Sequence, residues 1–493
     1  MSRAPLNPLW WLKHRWYSLL LFLSLILVLR LAWGWYVHRQ VQQALAALRS
    51  RGEFTSVSDV IYEKVPDSEN VWKLQLRAAA ALAPGVNSPL VSNLEYQNYL
   101  PFPPAWHQLA DASEKANVTP FKLARQSRQL HRAQFRDHLK PLQFNTDHLR
   151  EARTISNTIC DGALYSHLHG NDAEALERLL DVMHLARTLR HDDLVVCQLT
   201  SIGIEASACS SAQLMAPALR VDPTTRSKVA QLIEQLTDET DLQAGIVRSL
   251  WMERILFKDF EIQFSSNNWF IQPLAERDIL RTLRKIDNCI EAAKCSDYAD
   301  AQLLLYRPPI DVKTTTPMLP FRTTSGRGTV EFPRYSRWFA QEATHWPYLL
   351  RHFRRLAERR ATVISLAVVL YRHDHQRLPE NLQELVPAYL PSIPLDPFQR
   401  RQTPFGYTMV KGASGQADRP VIYYDPGGPD LGLTQEPIYG FYGKVSPSNY
   451  GMPSVRQYRD LSRFIPPLPK AVNNNPNKPN DLRQDSQPDN GAP

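Results

Sequence analysis

The segment TISNTICDGALYSHLHGNDAEALERLLDVMHLARTLR, Thr154–Arg190, decides how this chain folds. A helical stretch runs up to His169 and meets Gly170, a residue suited to the left-handed conformation that closes a helix. Asn171 or Asp172 can then accept the first free N–H groups of a second helix. Apolar side chains recur there at Ala173, Leu176, Leu180, Met183 and Ala186, steps of three and four that mark one helical face. Glu174, Glu177, Arg178 and Asp181 take the other face. Two helices joined by so short a polar turn must lie antiparallel, which makes the unit a helical hairpin.

Working outward, the same texture continues. Leu194–Met215 reads as a third helix, with Ala, Ser and Gly that let neighbours approach closely. Asp222-Pro223 sets a capping residue before a first-turn proline and opens a helix running into the 240s or beyond. Leu280–Leu305 is predicted as another helix, and Val71–Leu82 as an alanine-rich one upstream. Ala83–Pro104 is a proline-punctuated connection. No strict repeat period is present, so the expected body is a stack of helical hairpins, each burying a face on its neighbour.

Near the N-terminus, Trp16–Val37 carries a single charge, Arg30, and is long enough as a helix to cross about 30 Å of hydrocarbon. Trp10, Trp11, Trp16 and Tyr17 precede the run, and Trp33, Trp35 and Tyr36 close it, as in two interfacial belts. Arg30 stands in the last third, where its stem can carry the guanidinium towards the interface. The bulky Leu31-Ala32-Trp33-Gly34-Trp35-Tyr36 that follows is a poor signal-peptidase site, so an uncleaved single-span anchor is expected. Arg3, Lys13 and Arg15 before the run balance Arg39, Arg49 and Arg51 after it. The closeness of Lys13 to Arg15, with the α-amino group, favours an internal N-terminus and an extracytoplasmic bulk. Val41–Arg49 continues as an amphipathic helix leaving the membrane. Ala361–Leu370 is apolar but too short to span, and reads as buried core.

Downstream, Arg307–Phe332 is a proline- and glycine-broken connection. Ser336–His375 is predicted as a helix with a stripe of Leu349, Phe353, Leu356, Ile364, Ala367 and Tyr371. Asn381–Leu385 gives a turn or two of helix, and Phe405–Val410 and Pro420–Tyr424 give two strands. Pro466–Pro493 holds almost nothing apolar and is expected to be a disordered tail. With 57 Lys+Arg against 49 Asp+Glu the formal charge is only +8, which argues against a nucleic-acid partner. Cys160, Cys197, Cys209, Cys289 and Cys295 are too few and scattered for a disulfide scaffold and are expected as buried thiols.

HDHQRLPENLQELVPAYLPSIPLDPF (His373–Phe398), with Tyr407 and VIYYDPGGPD (Val421–Asp430), resembles the C-terminal half of the type II secretion pseudopilin G family. The resemblance covers residues 373–432 and implies a long helix, a proline-rich loop and a small antiparallel sheet. It also implies a calcium-binding acidic loop near Asp425 and Asp430. Here no further carboxylate follows until Glu436, short of the six to eight oxygens calcium takes, so an ordinary turn is expected. The N-terminus lacks the leader and glutamate-bearing helix of pseudopilins, so the module reads as a borrowed fold element. A second resemblance is to a group of uncharacterised single-pass bacterial membrane proteins. It rests on Arg51–Trp72, Gly170–Leu199 and the same C-terminal module, and implies an architecture without an activity.

Candidate chemistry is sparse. His167 and His169 are two apart on a helix and point away from each other, so they cannot share a metal. His373, Asp374 and His375 sit at a helix end, where His suits the dipole. His345 and His352 share a face without a third ligand in register. Asp192-Asp193 and Asp238-Glu239 lie beside helix caps and are expected to be solvated or to complement the helix dipoles. Arg351, Arg354, Arg355, Arg359 and Arg360, offset by Glu358, are expected to pair with acidic residues on neighbouring helices or to face solvent, with anionic lipid contact as the alternative. No catalytic, metal or cofactor residues are assigned.

The expected organisation is therefore mainly α. It comprises a membrane anchor at 1–40, a helical-hairpin domain at 41–305 and a proline-rich connection at 306–335. A long helix with a small α/β module follows at 336–465, and a tail at 466–493. The expected role is a membrane-anchored binding or scaffolding module of the cell envelope with a protein partner. The alternatives are an accessory component of a secretion or pilus-like system, or an enzyme with a site assembled from distant residues.

Overall fold

The fold was obtained as a computed structural model, which describes residues 15–84, 102, 104–136, 147–265, 269, 272–306, 337–399, 403–410, 419–423, 438–440 and 443–445. The Arg307–Phe332 connection, Asp425, Asp430, the C-terminal tail and the side chain of His345 lie outside these residues.

Helix α1 runs unbroken from Arg15 to Ser50. It is the one helix among the described residues long and apolar enough to cross a membrane. Helices α2 (Val71–Ala80), α3 (Pro104–Ala116) and α4 (Val118–Ser127) follow. The hairpin read from the sequence is α5 (Asp147–Leu168) and α6 (Asp172–Arg190). Gly170 adopts φ +80°, where an L side chain would be strained, and the N–H of Asn171 reaches back to the Ser166 carbonyl at 2.9 Å. Asn171 caps α6 by accepting from the Glu174 N–H at 3.2 Å.

The two-faced reading of α6 needs correction. Leu176, Leu179, Leu180, Val182, Ala186 and Leu189 are fully buried, but Arg178 and Asp181 on the other face are buried too, and Ala173 is only half-buried. The reason is that α6 is the central helix: α5 and α7 (Val195–Met215) cover one side, and α4 packs on the other.

Two predicted helices are each divided. The helix opened by Asp222, which accepts from the Thr225 N–H at 2.7 Å, is α8 (Pro223–Thr237), and a new helix α9 begins at Thr240 and runs to Ser265. Asp238 causes the break: its carboxylate accepts from the N–H of Thr240 at 3.3 Å and from its hydroxyl at 2.5 Å, a cap that competes with helix continuation. Likewise α10 (Gln272–Ala293) and α11 (Tyr298–Tyr306) replace one continuous helix, because Asp297 accepts from the Asp300 N–H at 2.9 Å and restarts the chain.

Helix α12 (Arg337–His375) buries all six stripe residues, from Leu349 to Tyr371, and packs mainly on α7 and α8. Beyond it, Asn381 caps the 3₁₀ turn Leu382–Leu385. Strands β1 (Gly406–Val410) and β2 (Arg419–Tyr423) pair antiparallel with Tyr407 opposite Ile422. Two short strands not anticipated, β3 (Ile438–Gly440) and β4 (Gly443–Val445), extend the sheet in the order β1-β2-β3-β4. Leu385, Phe398, Phe405 and Ile422 join the same core as α5–α8, so one apolar interior includes side chains from both sides of 306–335. Each such fully buried side chain contributes roughly 1.5–3 kcal/mol.

Candidate functional site

Two places concentrate charge in unusual surroundings: a buried cluster where α6, α7 and α12 cross, and the base of α1. At the crossing, Glu205 is the one charged residue of α7 and is wholly buried. Its carboxylate receives Arg190 of α6 at 2.9 Å, Arg355 of α12 at 2.9 Å, and Arg359, one turn further along α12. Arg359 also donates to the carbonyls of Leu236 (3.0 Å), Gln235 and Asp238 (both 2.8 Å), satisfying the open C-terminal end of α8. Arg355 reaches Glu358 at 3.2 Å, and Arg360 forks onto Glu239 at 2.8 and 2.7 Å. Burial works to raise the Glu205 carboxyl, but Arg190, Arg355 and Arg359 overcome it and hold it well below the usual carboxylate range. Thus Arg355, Arg359 and Arg360 pair within the protein, while Arg351 and Arg354 are exposed. Glu205, Arg190, Arg355 and Arg359 are all buried, so the cluster's chemistry is to fix the crossing of three helices.

A second charged seam explains the buried polar face of α6. Arg125 meets Glu174 at 3.0 Å and Asp181 at 2.8 Å; Arg128 meets Glu177 at 2.6 Å and Asp181 at 3.2 Å. Arg178 bridges to Glu114 of α3 and lies 4.6 Å above the Phe121 ring. Beneath it, a cavity of about 10 Å³ lined by Gln75, Ser127, Asp181 and Leu185 has room for about one water molecule.

The histidines singled out from the sequence do not converge. His167 bonds Asp172 at 2.5 Å, while His169 bonds the Tyr165 carbonyl at 2.8 Å. Asp374 is held by Arg226 at 2.6 and 2.8 Å and by the Tyr389 hydroxyl at 2.7 Å, and His375 stacks on Tyr371. The expected solvation of Asp192 is also corrected: it is buried and paired with Arg136, whereas Asp193 faces Arg248 at 3.5 Å.

The sequence reading missed one grouping, because its members come from three elements. Ligand atoms of His148, Asp192 and Cys197 lie within 4.8 Å of one another. Arg136 already neutralises Asp192, whose other oxygen accepts the Leu194 N–H at 3.2 Å, and burial together with Asp192 pushes the Cys197 thiol far up, so it keeps its proton.

His352 of α12 is buried, and among the described residues its Nδ1 has no hydrogen-bond partner. Burial, helped by Arg360, lowers it from 6.5 to about 4. The unfolded chain therefore takes up the proton first, and stability falls as pH drops from about 6.5 towards 4, by up to about 1.4 kcal/mol per pH unit. Between about pH 7 and pH 5 the parent should lose about 2 kcal/mol more than His352→Leu, read from urea midpoints. Equal losses in the two would contradict a neutral buried imidazole.

At the base of α1, α10 runs parallel to it as a fixed companion. Pro273 faces Gly34, where a Cβ would lie 3.2 Å from the proline ring. One turn further, His38 Nδ1 is 2.9 Å from Glu276. Val41, Leu45 and Leu48 then pack with Ile279, Leu280 and Leu283, and Arg51 ends the seam 3.6 Å from Asp287. Below Gly34, Arg30 lies 5.1 Å from the centroid of the Trp269 ring and donates to the Trp269 carbonyl.

Comparison with known proteins gives no significant match: no family model, curated protein or solved structure corresponds to the chain.

Proposed function

We propose that the chain is a membrane-anchored helical scaffold of the cell envelope, with its body outside the cytoplasm and a protein as its partner. The supporting observation is that α1 continues without a break from its exposed apolar half into the seam with α10. A body attached in this way is presented at a set height and orientation above a bilayer, which suits the holding of another protein.

The anchor is tested first. The full chain should stay in the pellet after alkaline carbonate washing. Leu23→Asp with Leu27→Asp, each costing about 2.5–3.5 kcal/mol near the midplane, should move it to the supernatant. Sidedness is tested with Ile61→Cys, at a position 90% exposed, in a Cys295→Ser background. A membrane-impermeant maleimide should label it from outside intact cells, and labelling only after permeabilisation would reverse the orientation. For the scaffold role, crosslinking in intact membranes should yield a defined complex larger than the chain, and a persistently uncomplexed chain would overturn it.

A second reading, an accessory component of a type II secretion or pilus-like machine, draws support from the C-terminal arrangement. There the long helix α12 is followed by a proline-rich loop and an antiparallel sheet, with the Tyr407 hydroxyl donating to the Pro379 carbonyl at 2.8 Å. Co-purification with secretion components would favour it over a free-standing scaffold.

A further inference from the structure

We propose that the basic face of α10, beside the anchor, holds the phosphate of an anionic phospholipid, with Arg277 and Arg281 as its principal contacts. The inference rests on α1 being a membrane anchor and adds a lipid preference to that reading.

Helix α10 has three faces. Ile279, Leu280 and Leu283 lie against α1, and Ile286, Cys289 and Ile290 enter the main core. Arg277, Arg281 and Arg284, spaced four and three apart, share the remaining face, and Lys285 stands one turn beyond Arg281. Arg284 is exposed and the other three are half-buried. The acidic residues of the helix do little to balance them. Glu276 is turned to His38, Asp287 to Arg254 and Glu291 to Lys294, so Asp278, 3.7 Å from Arg281, is the one carboxylate of α10 left among these cations. The cations also crowd one another. Burial lowers Arg281, and Arg277 beside it adds to the fall; burial and then Arg281 lower Lys285 to about 8. A phosphate set among them would relieve that repulsion.

Their height on the anchor places them where lipid phosphates lie. Glu276 is level with His38, so Arg277 is level with Arg39, and Arg281 stands about 6 Å further out at 1.5 Å per residue. The apolar run ends at Val37, and Trp35 and Tyr36, both exposed, mark the belt at its edge. Arg277 is therefore about 3 Å outside the apolar run and Arg281 about 9 Å, against a headgroup zone about 5–8 Å deep on each side of the hydrocarbon. The long stem of Arg281 bridges the difference. Arg39 of α1, exposed and 5.5 Å from the centroid of the Trp35 ring, adds a cation at the height of Arg277. Arg284 and Lys285 stand higher and add their field within a screening length of about 10 Å.

The test uses the full chain in phosphatidylcholine vesicles carrying a trace of chain-spin-labelled phosphatidylglycerol or phosphatidylcholine. The fraction of label motionally restricted at the protein should give phosphatidylglycerol a relative association at least about five-fold above phosphatidylcholine, the effect of one well-placed cation. Arg277→Gln with Arg281→Gln should bring the ratio close to one. Arg277→Lys with Arg281→Lys should keep most of it, which separates charge from packing. Restriction of both lipids without preference overturns the headgroup contact while the anchor stands. So does a preference that the glutamine pair leaves intact, or one that the lysine pair loses as fully as the glutamine pair. No restricted component for either lipid means that α1 does not span, and the anchor then fails together with the proposal.

Discussion

Glu205→Ala should lower the stability of the full chain in detergent by about 3–5 kcal/mol, read as a fall in the urea midpoint followed by far-UV circular dichroism. The magnitude follows from what is left behind. Arg190, Arg355 and Arg359 converge on this one carboxylate, and removing it leaves three guanidinium groups in a buried crossing. Glu358 still faces Arg355, and the α8 carbonyls still receive Arg359, but Arg190 has no such second partner: its Nε and Nη1 are unbonded among the described residues. Pairing Glu205→Gln with Arg190→Met should therefore recover at least about 1 kcal/mol relative to Glu205→Gln alone. No recovery would mean that the loss does not come from uncompensated charge. The sign with pH is also fixed. The folded carboxyl lies below its unfolded value near 4.5, so its contribution is full above that value and is lost as pH falls towards the folded one. Glu205 and His352 thus weaken the protein together in acid.

Phe353→Ala should cost about 3–5 kcal/mol and Phe353→Leu about 1 kcal/mol, by the same measurement. Phe353 is fully buried, 5.5 Å from the ring of Tyr298, which in turn meets Phe398 at 5.4 Å. The Tyr298 N–H also donates to the Pro397 carbonyl at 2.7 Å. One ring therefore ties α12 to α11 and to the loop that leads into the sheet. A cavity there removes packing from three elements, and Leu refills part of it. Equal midpoints for parent, Leu and Ala would show that this junction is not packed as described.

What could be read from the sequence was local. Gly170 and Asn171 announce a helix end and a helix start within two residues, and both perform those roles. The stripe of α12 and the positions of two strands were equally legible, because periodicity of 3.6 or 2 is written in consecutive residues. What escaped depends on partners far along the chain. Asp181 looks solvent-facing until Arg125 and Arg128 arrive from α4. The breaks at Asp238 and Asp297 were hidden because a capping aspartate and an ordinary helical one look alike without geometry. The buried cluster did leave a trace: a lone acid among the small and apolar residues of α7, and two arginines four apart on one face of α12. Either is weak alone, and only the crossing joins them. Nothing local marks the face of α10 as the companion of α1, since an amphipathic helix does not name what it packs against.

The seam between α1 and α10 also has a mechanical consequence. With no joint between the exposed apolar half and the body-facing half of one rod, a bilayer spanned by α1 as proposed would make the body a lever whose fulcrum is the lipid itself. Thinner or thicker lipid leaves, which make such rods lean by different angles, would swing the far end of the body sideways.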